Sequence, residues 1–155
     1  MTDAAKSSFV YVTYIRTTPE KLWAALTTPE FIKKYWFGMS IETDWKAGSP
    51  WKLAFPDGRV ADAGEIVEFD KPRRLVLRWR HQFRPELHEE GDVRCVIEIE
   101  QAGEVVKLTI THDMDKPDSK LIGAVSVGWP KILSSLKTLL ETGTALPAIG
   151  ELPRG

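Results

Sequence analysis

The sequence predicts an α+β domain in which an antiparallel sheet carries helices on one face. Three observations lead to this prediction. Apolar residues alternate with period two almost without a break from Met39 to His112. Two short helical patterns precede this region, and a long apolar helical stripe follows it. Because the alternating segments are joined by short links, we expect neighbouring strands to pair antiparallel.

The N-terminal part predicts one strand and two short helices. Residues 9–16, FVYVTYIR, are rich in β-branched and aromatic residues, and both faces of this strand are apolar, which predicts cover on both sides. Thr18-Pro19 and Thr28-Pro29 each place a hydroxyl cap before a proline at the first helical position. Apolar residues recur at helical spacing after both pairs. We therefore expect two helices joined by a tight bend.

The middle of the chain divides into strands at clear turn signals. Pro56-Asp57-Gly58-Arg59, Asp70-Lys71-Pro72 and Ala102-Gly103 all have turn chemistry. The segments between them alternate over residues 39–45, 51–55, 60–69, 73–80, 93–99 and 105–112. The polar stretch from His81 to Gly91 predicts a long loop.

The C-terminal helix has the most regular pattern. Its stripe is formed by Trp129, Ile132, Leu133, Leu136, Leu139 and Leu140. Gly143 supplies a C-terminal stop. Because proline is disruptive deep inside a helix, Pro130 predicts that the main helix begins near Gly128, or that it kinks there after a turn at residues 121–127.

Length and composition limit the classes of protein to which this chain can belong. A chain of 155 residues predicts one domain, here residues 9–143, with a flexible leader at 1–8 and a loose tail at 144–155. Its 21 basic and 22 acidic residues give no excess of positive charge for nucleic acid. The sequence contains no apolar run long enough to span a membrane and no signal-peptide pattern, so we expect a cytoplasmic protein. The single cysteine, Cys95, allows no internal disulfide and is expected to be a buried, inert thiol.

Four sequence segments, in this order, resemble a known family. They are Thr18-Pro19-Glu20-Lys21-Leu22-Trp23, the stretch from Thr28-Pro29-Glu30 to Tyr35-Trp36, residues 64–75 (GEIVEFDKPRRL), and Gly128-Trp129 with its leucine ladder. Over roughly Phe9 to Thr142 the chain resembles the SRPBCC superfamily. Within it, the chain is most similar to the branch named for activators of the heat-shock protein 90 ATPase.

This resemblance implies a START-like helix-grip fold, as in the birch-pollen allergen. In that fold a curved antiparallel sheet wraps around a long C-terminal helix, and an apolar cavity lies between them. The family's eukaryotic chaperone activators carry a further N-terminal domain for which this chain has no room, so chaperone binding is not the expected role.

The cavity implied by the family would be lined by apolar and aromatic side chains. The predicted ligand-binding residues are Trp36, Phe37, Trp51, Leu53, Phe55, Trp79, Ile97, Trp129 and Leu133. Six tryptophans are a heavy load for one small domain, and such rings either line a pocket or fill a core. The sequence leaves both alternatives open.

Three polar residues are weak candidates for acid–base chemistry. Glu65 shares the parity of Val67 and Phe69, which would place a desolvated carboxylate inside, unless a bulge near Gly64 leaves it in water. Arg78 lies opposite apolar residues and is expected on the solvent side. His112 follows the apolar parity of its strand, which predicts a partly buried structural histidine near the cavity mouth.

The sequence gives no support for a metal site, a nucleophile motif or a bound cofactor. The resemblance implies a protein that binds a hydrophobic or amphipathic small molecule, and we expect no cofactor. An enzyme resembling polyketide cyclases and dehydrases, and a chaperone-associated interaction module, are the alternatives. The sheet edges also leave pairing in a homodimer open.

Overall fold

The computed structural model describes residues 7–147 and shows the α+β helix-grip architecture that the sequence predicts. Its strands are β1 (Ser7–Ile15), β2 (Ser40–Thr43), β3 (Pro50–Ala54), β4 (Val60–Asp70), β5 (Arg74–His81), β6 (Val93–Ala102) and β7 (Val105–Met114). Its helices are α1 (Pro19–Thr27), α2 (Pro29–Tyr35), α3 (Pro85–His88) and α4 (Lys120–Thr142). Over these residues the strands form one antiparallel sheet in the order β1-β7-β6-β5-β4-β3-β2.

Most helices and strands begin and end close to the residues predicted from the sequence. Helix α1 begins at Pro19, where the Thr18 hydroxyl accepts a hydrogen bond from the Lys21 backbone N–H at 3.2 Å. Strand β1 begins at Ser7, two residues before the predicted start of the domain. The rest of the predicted leader, residues 1–6, and the tail from residue 148 onward lie outside the described residues.

Helix α4 begins earlier than predicted and continues through Pro130 as one helix. Its first turn is capped twice. The Ser119 hydroxyl accepts from the Ile122 N–H at 3.1 Å, and the Glu90 carboxylate accepts from the Lys120 and Leu121 N–H groups at 2.9 and 3.1 Å. These bonds satisfy donors that a helix N-terminus otherwise leaves unpaired. The early start is therefore supported both by a local cap, Ser119, and by a residue far away in sequence, Glu90.

The outer face of the sheet is exposed, and here one prediction is wrong. Val10, Val12 and Tyr14 on β1 face solvent, so this strand is covered on its inner side alone.

Among the described residues, no helix has the length and apolar character needed to cross a bilayer. The core lies between the inner face of the sheet and the helices.

Candidate ligand cavity

A cavity of about 350 Å³ lies between the sheet and α4. Its wall is formed by Trp36, Phe37, Met39, Leu53, Phe55, Ala61, Asp62, Trp79, His81, Arg84, Leu87, Leu121, Ala124, Val125, Val127, Gly128, Trp129, Lys131 and Ile132. Most of these residues are apolar. Both the volume and the composition are typical of small-molecule sites, which span roughly 300–1,000 Å³.

The predicted ligand-binding residues divide between this cavity and the packed core. Those on the cavity wall are Trp36, Phe37, Leu53, Phe55, Trp79 and Trp129. Trp51 and Ile97 line a separate void of about 30 Å³, which has the volume of a single water. Leu133 lines neither space and is buried in the core. For these three residues, the structure places the side chain away from the large cavity.

Four indole rings form a packed cluster beside the cavity, here called the tryptophan cluster (Trp36, Trp51, Trp79 and Trp129). The ring centroids of Trp51 and Trp79 are 4.7 Å apart, those of Trp36 and Trp129 are 5.3 Å apart, and those of Trp79 and Trp129 are 6.1 Å apart. The tilted and edge-on geometries are those that aromatic pairs prefer. The tryptophans therefore both fill a core and line a pocket, because their rings interdigitate in one part of the interface and line a cavity in the other.

His112 lies within the packed part and not at the cavity mouth, contrary to the expectation. It is 0% exposed, and its Nε2 atom accepts a hydrogen bond from the Trp129 indole N–H at 2.6 Å. Burial lowers the pKa of His112 to about 3. The ring is therefore neutral at physiological pH and serves as the acceptor that a buried indole N–H requires.

Glu65 and Arg78 lie on the outer face, so neither reaches the cavity. The Arg78 guanidinium contacts the Glu65 carboxylate at 3.0 Å and the Asp92 carboxylate at 3.3 Å, and these side chains are nearly half exposed. The register shift in β4 falls between Ile66 and Glu68 and not near Gly64. A bulge does separate Glu65 from Phe69, three residues later than expected, so Glu65 faces outward with Val67 while Phe69 returns to the inner face.

Gly64 has a different role from the predicted bulge. A Cβ atom at this position would lie 1.7 Å from the Arg78 carbonyl oxygen. The same oxygen accepts a hydrogen bond from the Trp51 indole N–H at 3.2 Å. The missing side chain thus allows the two strands and the Trp51 ring to approach one another closely.

Other arginines near Arg78 in the sequence also pair with carboxylates. Arg73 pairs with Asp70 and Arg74 with Glu68 and Glu98, whereas Arg84, on the cavity wall, pairs with Glu86. Cys95 is fully buried, and burial raises the pKa of its thiol, as expected for an inert cysteine.

The sequence analysis missed a buried pair on the cavity wall, His81 and Asp62. The His81 Nδ1 atom lies 2.9 Å from the Asp62 carboxylate, and each residue is 8% exposed. His81 belongs to β5 and not to the predicted loop, and the strand register pairs it directly with Asp62. A signal was present in the sequence, because His81 continues the apolar alternation of Leu75, Leu77 and Trp79.

Two cationic side chains complete the polar part of the wall, Arg84 and Lys131. Lys131 has no ion pair within residues 7–147.

Phe37, also on the wall, has a φ of 52°, a left-handed conformation that side chains rarely adopt and that occurs often at ligand sites. No group of three or more potential metal ligands is found in the described part of the chain.

Comparison with solved structures finds the same fold at low sequence identity. Protein MLL2253 from Mesorhizobium loti is 21% identical, with a TM-score of 0.75 over 87% of this chain and 97% of that chain. The Aha1 dimer from Colwellia psychrerythraea is 20% identical, with a TM-score of 0.72 over 88% and 98%. PFC0360w, an HSP90 activator from Plasmodium falciparum, is 22% identical, with a TM-score of 0.71 over 86% and 96%.

Sequence comparison extends this result from fold to family. No curated protein is significantly similar to the chain. A family model described as activator of Hsp90 ATPase homolog 1-like protein matches residues 16–141, which include the whole cavity wall. The match spans most of the region over which the sequence motifs resemble this family. The chain therefore belongs to the family of activator of Hsp90 ATPase homolog 1-like proteins.

Proposed function

We propose that this protein binds a hydrophobic or amphipathic small molecule between the sheet and α4. The observation that carries the proposal is the 350 Å³ cavity, which has an apolar wall and a few convergent polar groups. Apolar ligand surface buried there contributes roughly 25 cal/mol per Å², before ordering costs are subtracted.

The protein carries its own reporters for this proposal. Trp36, Trp79 and Trp129 lie on the cavity wall, so a bound molecule changes the surroundings of three indole rings. We expect intrinsic fluorescence to change during titration with decanoate or 2-naphthoate. Mass spectrometry of small molecules that co-purify with the protein would identify the natural ligand class.

Two glycines of α4 offer a matched pair of variants. Gly128 lies on the cavity wall and Gly123 does not, and a Cβ added to either meets no atom within 4 Å. Gly128→Leu and Gly123→Leu should each stabilise the helix by about 1 kcal/mol, because glycine is a poor helix former. We expect only Gly128→Leu to fill cavity space and weaken binding of the probes, by tenfold or more.

The two glycine variants make the result specific. Equal loss of binding in both would place the probe elsewhere on the helix surface. Unchanged binding in Gly128→Leu, with a folded protein, would contradict binding in this cavity.

A second candidate function, an enzyme on the same scaffold, is favoured by the His81–Asp62 pair. An acid–base enzyme needs at least two polar groups within hydrogen-bond reach at its cavity, and the 2.9 Å contact meets that condition. Asp62 would hold the His81 tautomer while Nε2 removes a proton from carbon next to a carbonyl group. The test measures the rate at which deuterium from heavy water replaces hydrogen in β-tetralone. A faster rate with this protein than with the Asp62→Leu/His81→Phe variant would support turnover. Equal rates would favour the binding function.

The chaperone-related alternative has weaker support. Its basis is the family's name and the likeness to PFC0360w, an HSP90 activator, and that likeness is one of fold. The described residues contain an open cavity, whereas an interaction module is expected to have a filled core.

A further inference from the structure

Two wall residues of the cavity carry polar atoms that the protein does not satisfy. The Trp79 indole Nε1 and the His81 Nε2 are both buried, and neither has a hydrogen-bond partner among the described residues. Both side chains line the 350 Å³ cavity. Buried polar atoms are nearly always paired in native proteins, so an unpaired one requires an explanation. Tyr35, His112 and Ser135 also carry a buried polar atom without a partner among the described residues, but none of them lies on the wall of this cavity. The atoms of Trp79 and His81 share one wall with space for a ligand, and together they point to a missing polar partner.

The backbone holds these two side chains on the same face of the sheet. Trp79 and His81 are two residues apart on β5, so they project to the same side. Asp62, directly opposite His81 on β4, is acceptor-only when ionised. The His81 ring hydrogen on Nδ1 is therefore directed to Asp62, which leaves Nε2 to meet a ligand.

The charges on the wall favour an acidic ligand. Arg84 and Lys131 are the cationic residues of the wall, and Asp62 is its anionic residue. The charge of Arg84 is balanced by Glu86, which lies outside the cavity wall, and the Asp62 carboxylate is engaged by the His81 ring at 2.9 Å. Lys131 has no ion pair in the part of the chain that the structure describes. Its ammonium group is therefore the wall charge that is left to bind an acidic ligand.

We propose that the ligand is an amphipathic carboxylic acid whose carboxyl group binds Trp79, His81 and Lys131 while its apolar part fills the cavity. The inference rests on the proposed binding function and names its ligand class. An ionised ligand takes up one proton from the buffer when it binds, whereas the free acid brings this proton with it. The proton lies in the hydrogen bond between one carboxylate oxygen and His81 Nε2. The carboxylate oxygens also accept from the Trp79 N–H and the Lys131 ammonium.

Matched probes separate this inference from binding in general. Decanoate and decanol share an alkyl chain and differ at the polar end. Titration calorimetry of the full chain should give at least tenfold tighter binding of decanoate. Lys131→Met should reduce decanoate affinity several-fold and leave decanol affinity unchanged. Lys120→Met is the matched control, because Lys120 lies on the same helix but is exposed and away from the cavity wall.

A double variant tests the buried pair itself. Removing only one partner would leave the other buried and unpaired, so Asp62→Leu and His81→Phe are combined. This variant should bind decanol and lose the preference for decanoate. If decanol binds the wild type as tightly as decanoate, or if the preference survives in Lys131→Met and in the double variant, the inference is wrong and the binding function stands. If neither probe binds, the proposed function fails and the inference fails with it.

Discussion

The interface between the sheet and α4 has two halves built from the same elements but filled differently. In the closed half, Trp79 and Trp129 of the tryptophan cluster pack against His112, which is 0% exposed. In the open half, the same strand β5 and helix α4 leave a cavity of about 350 Å³ beside His81. Trp36, Trp79 and Trp129 belong to both halves and form the boundary between them.

The two histidines show what this difference means for polar groups. His112 accepts the Trp129 indole N–H and is kept neutral by burial, which suits a structural role. Each ring keeps one nitrogen without a partner among the described residues, Nδ1 in His112 and Nε2 in His81, but only His81, which pairs with Asp62, lies on the cavity wall. A buried histidine is therefore structural in one half and available for a ligand in the other. The difference arises from the space beside each ring.

The largest expected effect is acid destabilisation through His112. Its pKa of about 3 in the folded protein lies below the ordinary value near 6.5, so between these pH values the unfolded chain binds a proton that the folded chain does not. This contribution to stability is complete above about pH 6.5 and is lost as the pH falls towards 3. By linkage the loss reaches at most about 5 kcal/mol. Urea unfolding at a series of pH values would measure it.

His112→Gln is the control for this pH dependence, because the amide still offers Trp129 an acceptor and does not titrate. Carboxylates that stabilise the fold, such as Glu90 at the start of α4, also lose their contribution in acid, and they do so equally in both proteins. A variant whose stability falls as steeply as the wild type between pH 6.5 and 3 would contradict the assignment to His112.

A pair of leucine truncations in α4 compares the packing of the two halves directly. Leu136 is fully buried in the core, whereas Leu121 is buried but lies on the cavity wall. Leu→Ala changes at buried positions cost about 2–5 kcal/mol, and the cost grows with the new void. We expect Leu136→Ala to fall in the upper part of this range. Leu121→Ala should fall at the lower end, because one side of that residue already faces empty space.

Chemical denaturation of both leucine variants, fitted with a shared slope, would measure the difference. Equal costs would mean that the cavity wall is packed as tightly as the core, which would conflict with the open half described above.

The smallest expected effect comes from the outer face of the same strands. Replacing Glu65 and Arg78 together, as Glu65→Gln/Arg78→Met, removes ion pairs between side chains that are nearly half exposed. Such pairs contribute about 0–1 kcal/mol, so stability should change little. Probe binding measured by tryptophan fluorescence should also be unchanged. A substantial loss of binding would show that the outer face communicates with the cavity.

Much of the fold was predictable because its causes are local. The Thr18 hydroxyl and Pro19 start α1, and Pro29 starts α2, although the expected cap from the Thr28 hydroxyl does not form. Period-two alternation marks the strands, and Gly143 ends α4 in a left-handed conformation with a φ of 88°. The early start of α4 was predictable only in part. The Ser119 cap is local, but Glu90 lies in another segment and caps the helix N-terminus only after the chain has folded.

The candidate site was predictable in part. Strand parity correctly indicates that Leu53 and Trp79 face inward, and helical spacing does the same for Trp36, but neither pattern distinguishes a ring that packs from one that lines a cavity. Trp51 and Ile97 have the same pattern and lie at a void of only about 30 Å³. Among the polar candidates, Arg78 faces solvent as expected, and the bulge between Ile66 and Glu68 leaves Glu65 on the outer face. The position of His112 was misjudged because its burial depends on Trp129 of α4, which its own strand does not reveal.

The sequence by itself determined the family, the order of elements and which residues are apolar on each strand, since these depend on composition and short-range periodicity. Only the tertiary structure decided where the interface is full and where it is open. That outcome depends on how side chains from β3, β4, β5 and α4 meet in space, and on the register that sets Asp62 opposite His81. Packing and cross-strand pairing join residues far apart in the chain, which periodicity within one segment does not record.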